Sequence, residues 1–406
     1  MMDEIDYPEI FRFIETQFTD NMEAFAKKQK RLKVPLIPPF VVNKLLTGVH
    51  GILEKEPSLL NLIGDYVIVG SLHGSFIDLL RILSKHGSPA RQKYLFLGNL
   101  TGYGDFQVET VLVVYLMKIL WPTNIAILRG YEEFTKACIV NGFREELDMM
   151  YQNCELFGPF MKTFSVLPIA GIINKEAFCV SGGIGKEIHN LKAIAQIKRP
   201  IDILNNQLLI ELFNSEPTDV LPMYLPTKKG QGHLFGEKAC SEFLSMLKLK
   251  LIFRSKNIVS KGYDERFNGK LVTLCSASGI ERNNLCGIAI YGPTMNQRAN
   301  FEFMPNLKRN DVIFITSISQ YNWAVQKESN LKYISPVNSV IGHLDTKACS
   351  GLRLSTITTG RPNINTKLSY SLNVGRKDNV KSGNDVIVPT KRKSAPFNIT
   401  KQILEL

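Results

Sequence analysis

The sequence predicts an α/β domain followed by a basic, largely disordered tail, and three observations carry that expectation. Short apolar runs, Tyr66-Val67-Ile68-Val69, Tyr94-Leu95-Phe96-Leu97 and Ile125-Ala126-Ile127-Leu128, each stop at a glycine or at Arg129-Gly130. Runs of β-branched and aromatic residues punctuated in this way read as buried strands. Between the first two, Phe76, Leu79, Leu80 and Leu83 recur at i, i+3, i+4 and i+7, a helical stripe that Ser75 and Asp78 open as a capping box and Gly87 closes. From about Lys347 the chain is rich in Ser, Thr, Asn, Gly and Lys and loses sustained periodicity. Alternating strands and helices bring strand ends to one sheet edge, where open α/β sheets carry their sites.

Residues 1–60 read as a helical cap, with one apolar stripe at Ile10, Phe11, Phe13, Ile14 and Phe18 and another at Val41, Leu45, Leu46, Val49 and Ile52. The basic run from Lys27 to Lys33 reads as a solvated connector, ended by Pro35, Pro38 and Pro39. Residues 61–150 hold the first sheet and three junctions: Gly70-Ser71-Leu72-His73-Gly74, Gly98-Asn99-Leu100-Thr101-Gly102-Tyr103-Gly104 and Arg129-Gly130-Tyr131-Glu132-Glu133. Residues 151 to about 215 read as helical, and a further helix is expected from Glu237 to Leu247. Strands are expected at Leu249 to Phe253, Leu271 to Cys275, Cys286 to Tyr291 and Phe301 to Met304. The core is thus expected over 61–305 and an extension over 306–406, of which Val312-Ile313-Phe314-Ile315 and Trp323 are the part able to pack on the domain.

Composition sets the class. A chain of 406 residues that is 44% hydrophobic can bury the core of one large domain. Residues 306–406 carry fifteen Lys and Arg against six Asp and Glu, a net of +9, which leaves +3 of the total +12 for the rest. The acidic, polar start, Met1-Met2-Asp3-Glu4-Ile5-Asp6, does not read as a secretory leader, so none is expected. Val111 to Trp121 is interrupted by Lys118 and is shorter than the about 20 residues that span a bilayer. Seven scattered cysteines without a Cys-x-x-Cys pair fit a reducing compartment. The expected location is cytoplasmic, with the nucleus as the alternative, through Lys391-Arg392-Lys393.

Several blocks in order resemble the phosphoprotein-phosphatase family of serine/threonine phosphatases, nearest its type 1 branch, which has the calcineurin-like metallophosphoesterase fold. They are the three junctions, Phe164-Ser165-Val166-Leu167-Pro168-Ile169-Ala170, Phe178-Cys179-Val180-Ser181-Gly182-Gly183 and Leu271-Val272-Thr273-Leu274-Cys275-Ser276-Ala277. The resemblance runs from about Tyr7 to Pro305 and implies two mixed β-sheets flanked by helices. It also implies a site where two metal ions of the Mn, Fe or Zn type clamp a phosphate and activate water.

Carried over by position, the resemblance finds that site degenerate. The family's first aspartate ligand is Ser71 here, and its histidine survives as His73. The bridging aspartate is Asn99, the aspartate that orients the general acid is Gly102, and a phosphate-binding arginine is Tyr103. The family's Asn-His-Glu is Tyr131-Glu132-Glu133, which removes a ligand and the general-acid histidine. Two downstream histidine ligands align with Ser181 and Lys256, and a second arginine aligns with Lys229. A carboxylate about 2 Å from a dication contributes on the order of 15 kcal/mol of gross Coulomb energy at an effective dielectric of about 20. An amide and a hydroxyl do not replace that, and an ammonium at Lys256 repels the ion. The glycines Gly70, Gly74, Gly98, Gly104, Gly130, Gly182 and Gly183 nevertheless remain, permitting the tight turns of the scaffold.

The expectation is therefore a pseudophosphatase without metal cofactor, a protein-binding module whose partners are proteins, including phosphoproteins or phosphatase regulatory partners. His73 reads as a hydrogen-bonded structural histidine, Tyr103 and Tyr131 as fillers of vacated space, and Glu132 with Lys256 as an ion pair in place of the metals. Gly74 and Ser75 at a helix N-terminus, with Arg129, Lys229 and Lys256, form a candidate anion site. Two alternatives stay open: residual or altered phosphoester hydrolysis, and binding of nucleic acid or an anionic surface through the tail. Nucleic acid is not the expected partner, because the tail has few aromatics among its charges.

Overall fold

The computed structural model describes residues 5–18, 31–104, 106–152, 155–227, 231–296, 298–306 and 313–317. All of these belong to a unit spanning Met1–Asn365, and a second unit, Thr366–Leu406, lies outside them.

Two mixed sheets form the centre. A five-stranded sheet runs in the order Asn300–Met304, Cys286–Tyr291, Tyr66–Val69, Tyr94–Phe96, Ile125–Ile127, the last three mutually parallel. A six-stranded sheet runs Tyr263–Arg266, Leu271–Leu274, Leu251–Arg254, Ala177–Val180, Ala170–Ile173, Leu59–Leu62. The period of two along each strand sorts side chains into layers. Ile68, Leu95 and Ala126 of the first sheet meet Cys179, Phe253 and Val272 of the second in a core between the sheets. Val67, Val69 and Phe96 face the other way, against the helices Pro39–Leu53, Phe76–His86 and Gln107–Leu120. Phe178, Val180 and Ile252 likewise back onto the helices Gln207–Asn214 and Glu237–Leu247. The result is helices, sheet, sheet, helices. A small three-stranded sheet, Glu216–Pro217, His233–Phe235 and Tyr224–Pro226, meets the end of Leu251–Arg254 through the ion pair of Lys256 with Glu216.

The strands expected from 66, 94, 125, 249, 271, 286 and 301 are present within two residues of their expected bounds. Four expectations change. The basic connector is in part the strand Arg31–Pro35, parallel to Ile313–Ser317; a pairing between segments so far apart in sequence leaves no local signal. Pro39 begins a helix rather than ending a loop, as its fixed φ and missing N–H suit the first helical position. That helix buries Leu53 in place of Ile52. The stretch to Ser215 is not all helical, because Ala170–Ile173 and Ala177–Val180 form an antiparallel hairpin in the second sheet.

The capping residues were the right ones with a different bond. Ser75 is the N-cap of Phe76–His86, yet its hydroxyl donates to Asp78 Oδ2 at 2.7 Å instead of accepting from the backbone. Asp78 also accepts from Arg81 at 2.9 Å and from the Ser278 amide at 2.7 Å, which ties this helix to the loop after Leu271–Leu274. Gly87 closes the helix at φ +92°. The expected Lys391-Arg392-Lys393 cluster and the segment from Lys347 lie outside the described residues. Among those residues, no helix is long and apolar enough to cross a membrane.

Lys118, which interrupts the apolar stretch in sequence, is 1% exposed and donates to Glu56 at 2.5 Å, Pro122 O at 2.9 Å and Ile125 O at 2.7 Å. Glu56→Ala leaves that ammonium buried without its counter-ion and should cost about 3 kcal/mol in urea unfolding. Lys118→Met should cost less, because the Glu56 side chain, 22% exposed, is less deeply buried than Lys118; equal losses, or the reverse order, would contradict this reading.

Candidate functional site

Both large sheets end at one place. Ser71, Asn99 and Gly130 follow the parallel strands of the first sheet, and Ser181, Lys256 and Ser276 follow strands of the second. A parallel bridge between Ser71 and Cys275 joins the sheets there. Gly98 turns the chain at φ +89°, and Asn99 follows in the left-handed region at +54°, which asparagine tolerates. Gly130 is needed for space instead: a Cβ there would fall 2.1 Å from Asn99 Oδ1.

Three of the positions that resemble ligand positions are bonded to one another. Ser71 Oγ accepts from Asn99 Nδ2 at 3.1 Å and from the Lys256 amide at 3.0 Å. Asn99 Oδ1 accepts from the Glu132 amide at 3.1 Å. Ser181 Oγ lies 3.4 Å from Ser255 Oγ, and Ser255 donates to Leu97 O at 3.2 Å. Ser71, Asn99 and Ser181 are 0%, 1% and 1% exposed. Behind them the buried Glu133 carboxylate accepts from the amides of Asn99, Leu100, Thr101 and Gly130 at 2.7 to 3.2 Å. Burial pushes this carboxyl up, and the four amides oppose it.

Glu132 and Lys256 do not pair. Lys256 Nζ turns to Glu216 Oε1 and Asn214 O, both at 3.0 Å. Burial works against the Glu216 charge, yet Lys256 holds the carboxyl below its ordinary range. Glu132 instead accepts from Asn141 Nδ2 and the Tyr103 hydroxyl, and burial pushes its pKa up to about 7. Glu216, Asn141 and the Glu133 cradle were missed in the sequence. Glu133 had a signal, as the carboxylate closing the third junction; Glu216 and Asn141 lie in segments with no motif.

His73 is held by burial more than by hydrogen bonds. It is 2% exposed, and neither ring nitrogen has a partner of good geometry. Its ring lies 5.3 Å from that of Tyr103, centroid to centroid, and burial lowers its pKa to about 4 against a smaller opposing pull from the Thr101 backbone. Gly102 adopts φ +149°, and a Cβ there would fall 2.4 Å from His73 Nδ1, so the imidazole and Gly102 exclude a side chain between them. Tyr103 and Tyr131 are part-exposed, their phenols raised first by burial and then by Glu132.

The groups expected to hold an anion have other partners. The amides of Gly74 and Ser75 donate to Leu100 O and Leu72 O, both at 2.7 Å, and Asp78 places a carboxylate at that helix end. Arg129 is 2% exposed, donates to Ile201 O and Glu133 O, and stacks on Phe134 at 3.7 Å. Lys256 is engaged by Glu216, and Lys229 lies outside the described residues.

This donor set does not fit a two-metal centre. Hard divalent ions need carboxylate and imidazole donors, whereas the aligned ligand positions here carry an amide, two aliphatic hydroxyls, a phenol, an ammonium and one imidazole. Among the described residues, no three His, Cys, Asp or Glu side chains come together as metal ligands. Cys138, Cys179, Cys240, Cys275 and Cys286 are free and buried.

Comparison with known proteins agrees with the architecture. The profile of the Calcineurin-like phosphoesterase family matches residues 46–255. The chain is 29% identical over 256 residues to serine/threonine-protein phosphatase PP1-delta of Caenorhabditis elegans, covering 60% of this chain and 84% of that protein. It is 31% identical over 225 residues to the serine/threonine-protein phosphatase 6 catalytic subunit of the same organism, covering 55% and 68%. A solved serine/threonine phosphatase from Saccharomyces cerevisiae with similarity to human phosphatase PP5 superposes with a TM-score of 0.63 at 26% identity, over 67% of this chain and 91% of that one.

A carboxyl with a higher pKa folded than unfolded binds its proton more tightly in the fold. The stability Glu132 contributes is therefore full below about pH 4.5 and lost as pH rises through about 7. Glu132→Gln should match the wild type near pH 4.5 and exceed it by on the order of 3 kcal/mol at pH 8 in thermal or urea unfolding. The same difference at both pH values would show that Glu132 is ionised in the fold throughout.

Proposed function

The chain belongs to the calcineurin-like phosphoesterase family, among relatives of the serine/threonine protein phosphatases, and on that premise we propose that it is a non-catalytic member that binds proteins. One observation carries the reading. Ser71, Asn99 and Lys256, at positions where the family resemblance expects metal ligands, are joined directly through Ser71 Oγ, with no carboxylate among them. Hydrolysis by the family route needs metal-activated water and a general acid, and this chain has Glu132 at the acid's position and Gly102 where its orienting partner is expected.

What remains is a rigid scaffold with a partly exposed mouth at Tyr103, Tyr131 and Lys256. Such a surface suits recognition of a protein, with phosphoproteins or phosphatase regulatory proteins as the candidate classes and the cytoplasm or nucleus as the place. The basic extension supports a second reading, attraction to nucleic acid or an anionic surface, through the +9 carried by residues 306–406.

With manganese supplied, hydrolysis of para-nitrophenyl phosphate by the full chain should equal that of its His73→Ala variant. A metal-dependent rate that His73→Ala abolishes would overturn the proposal in favour of residual phosphatase activity.

A further inference from the structure

We propose that Ile313–Ser317 is a releasable strap. Through Arg31–Pro35 it holds the N-terminal helix Tyr7–Phe18 against the core, and it opens as a unit while the two central sheets stay folded.

Both paired strands lie outside residues 46–255, the part that matches the family. Ile313–Ser317 follows the last strand of the five-stranded sheet, Asn300–Met304, yet it returns to the start of the chain and runs parallel to Arg31–Pro35 over its whole length, from Arg31 with Ile313 to Pro35 with Ser317. Among the described residues, no third strand joins them. Parallel strands pair slightly less stably per residue than antiparallel ones, and two strands alone make a marginal sheet. Pro35 also has no N–H to give to the ladder. This ribbon therefore opens at a lower free energy than the sheets buried at the centre.

What the ribbon holds is a cap that meets the core imperfectly. Arg31–Pro35 runs directly into the buried Leu36 and Ile37, and its other neighbour is the helix Tyr7–Phe18. That helix buries Ile10, Phe11, Phe13 and Ile14, sets Phe11 edge-on to Trp121 at 4.8 Å, and packs on Phe76–His86 and Gln107–Leu120. A cavity of about 10 Å³, room for about one water, lies between Ile14, Ile37, Phe76, Leu112 and Met150. Side chains that line a void lose contacts on that side. The two cap residues at the void, Ile14 and Ile37, flank Arg31–Pro35 in sequence, so the strap acts where the packing is weakest.

The strap also has a route to the site. Phe76–His86, on which the cap packs, starts beside Gly74 and Ser75 and carries Asp78, which holds the Ser278 amide. Ser317 continues into the rest of the extension, whose residues 306–406 carry a net +9. A partner that draws this extension into a form unable to pair with Arg31–Pro35 frees the cap by the same linkage.

The test is hydrogen–deuterium exchange on the full chain, read by mass spectrometry, for the wild type and a Phe314→Pro, Ile315→Pro double variant. Adjacent prolines are used because only alternate residues of a parallel strand bond to a given neighbour. In the wild type, the amides of residues 31–34 and of Ile313–Ser317 should exchange at one common rate, faster than Tyr94–Phe96. In the variant, residues 31–34 should lose their protection and Tyr7–Phe18 should exchange about tenfold faster, with Tyr94–Phe96 and Ile125–Ile127 unchanged. Residues 31–34 unprotected in the wild type, protection there that survives both prolines, an unchanged Tyr7–Phe18, or equal acceleration through the central strands would each overturn the proposal.

Discussion

The structure depends on how the polar ends of two sheets are satisfied where they meet. Strand ends present backbone groups and side chains to one another in a place closed to water, and buried polar groups left unpaired cost stability. In this chain Ser71 Oγ solves the problem, accepting from the Asn99 side chain of its own sheet and from the Lys256 backbone of the other. The Ser71 and Cys275 bridge lies at the same seam. A two-metal centre would cross-link the two halves through charge; here the cross-link is a set of neutral hydrogen bonds, and the remaining charges are settled locally, Lys256 by Glu216 and Glu133 by four amides.

That arrangement also makes the site hard to reverse one residue at a time. Gly102 sits at φ +149° against His73 Nδ1, so a side chain restored there meets the imidazole. Asn99 packs on Gly130 with no room for a Cβ, and its amide spans Ser71 and the Glu132 backbone. A carboxylate at position 99 would keep the second bond and make the first only by accepting from the Ser71 hydroxyl instead of donating to it.

Much of this was legible in the sequence, and the part that was not has physical reasons. The central strands Tyr66–Val69, Tyr94–Phe96 and Ile125–Ile127 are apolar on both faces and end at glycines, so composition alone located them. Tyr263–Arg266 was missed because an edge strand half open to solvent needs no apolar alternation. Leu59–Leu62, also at an edge, carries an exposed Asn61. The pairing of Arg31–Pro35 with Ile313–Ser317 is set by chain topology across nearly the whole domain. At the site, the identities of the replaced residues were readable by resemblance, but their bonds were not: proximity suggested Lys256 with Glu132, while the direction of a long side chain chose Glu216.

The central claim is that this fold has exchanged metal coordination for direct hydrogen bonding. Its most direct test is the metal content of the full chain after exposure to manganese and removal of the excess, beside an active serine/threonine phosphatase handled in parallel. The account predicts well under one ion per chain here while the active enzyme keeps its metal. Retention of about two ions per chain, the complement of a two-metal hydrolase, would contradict it.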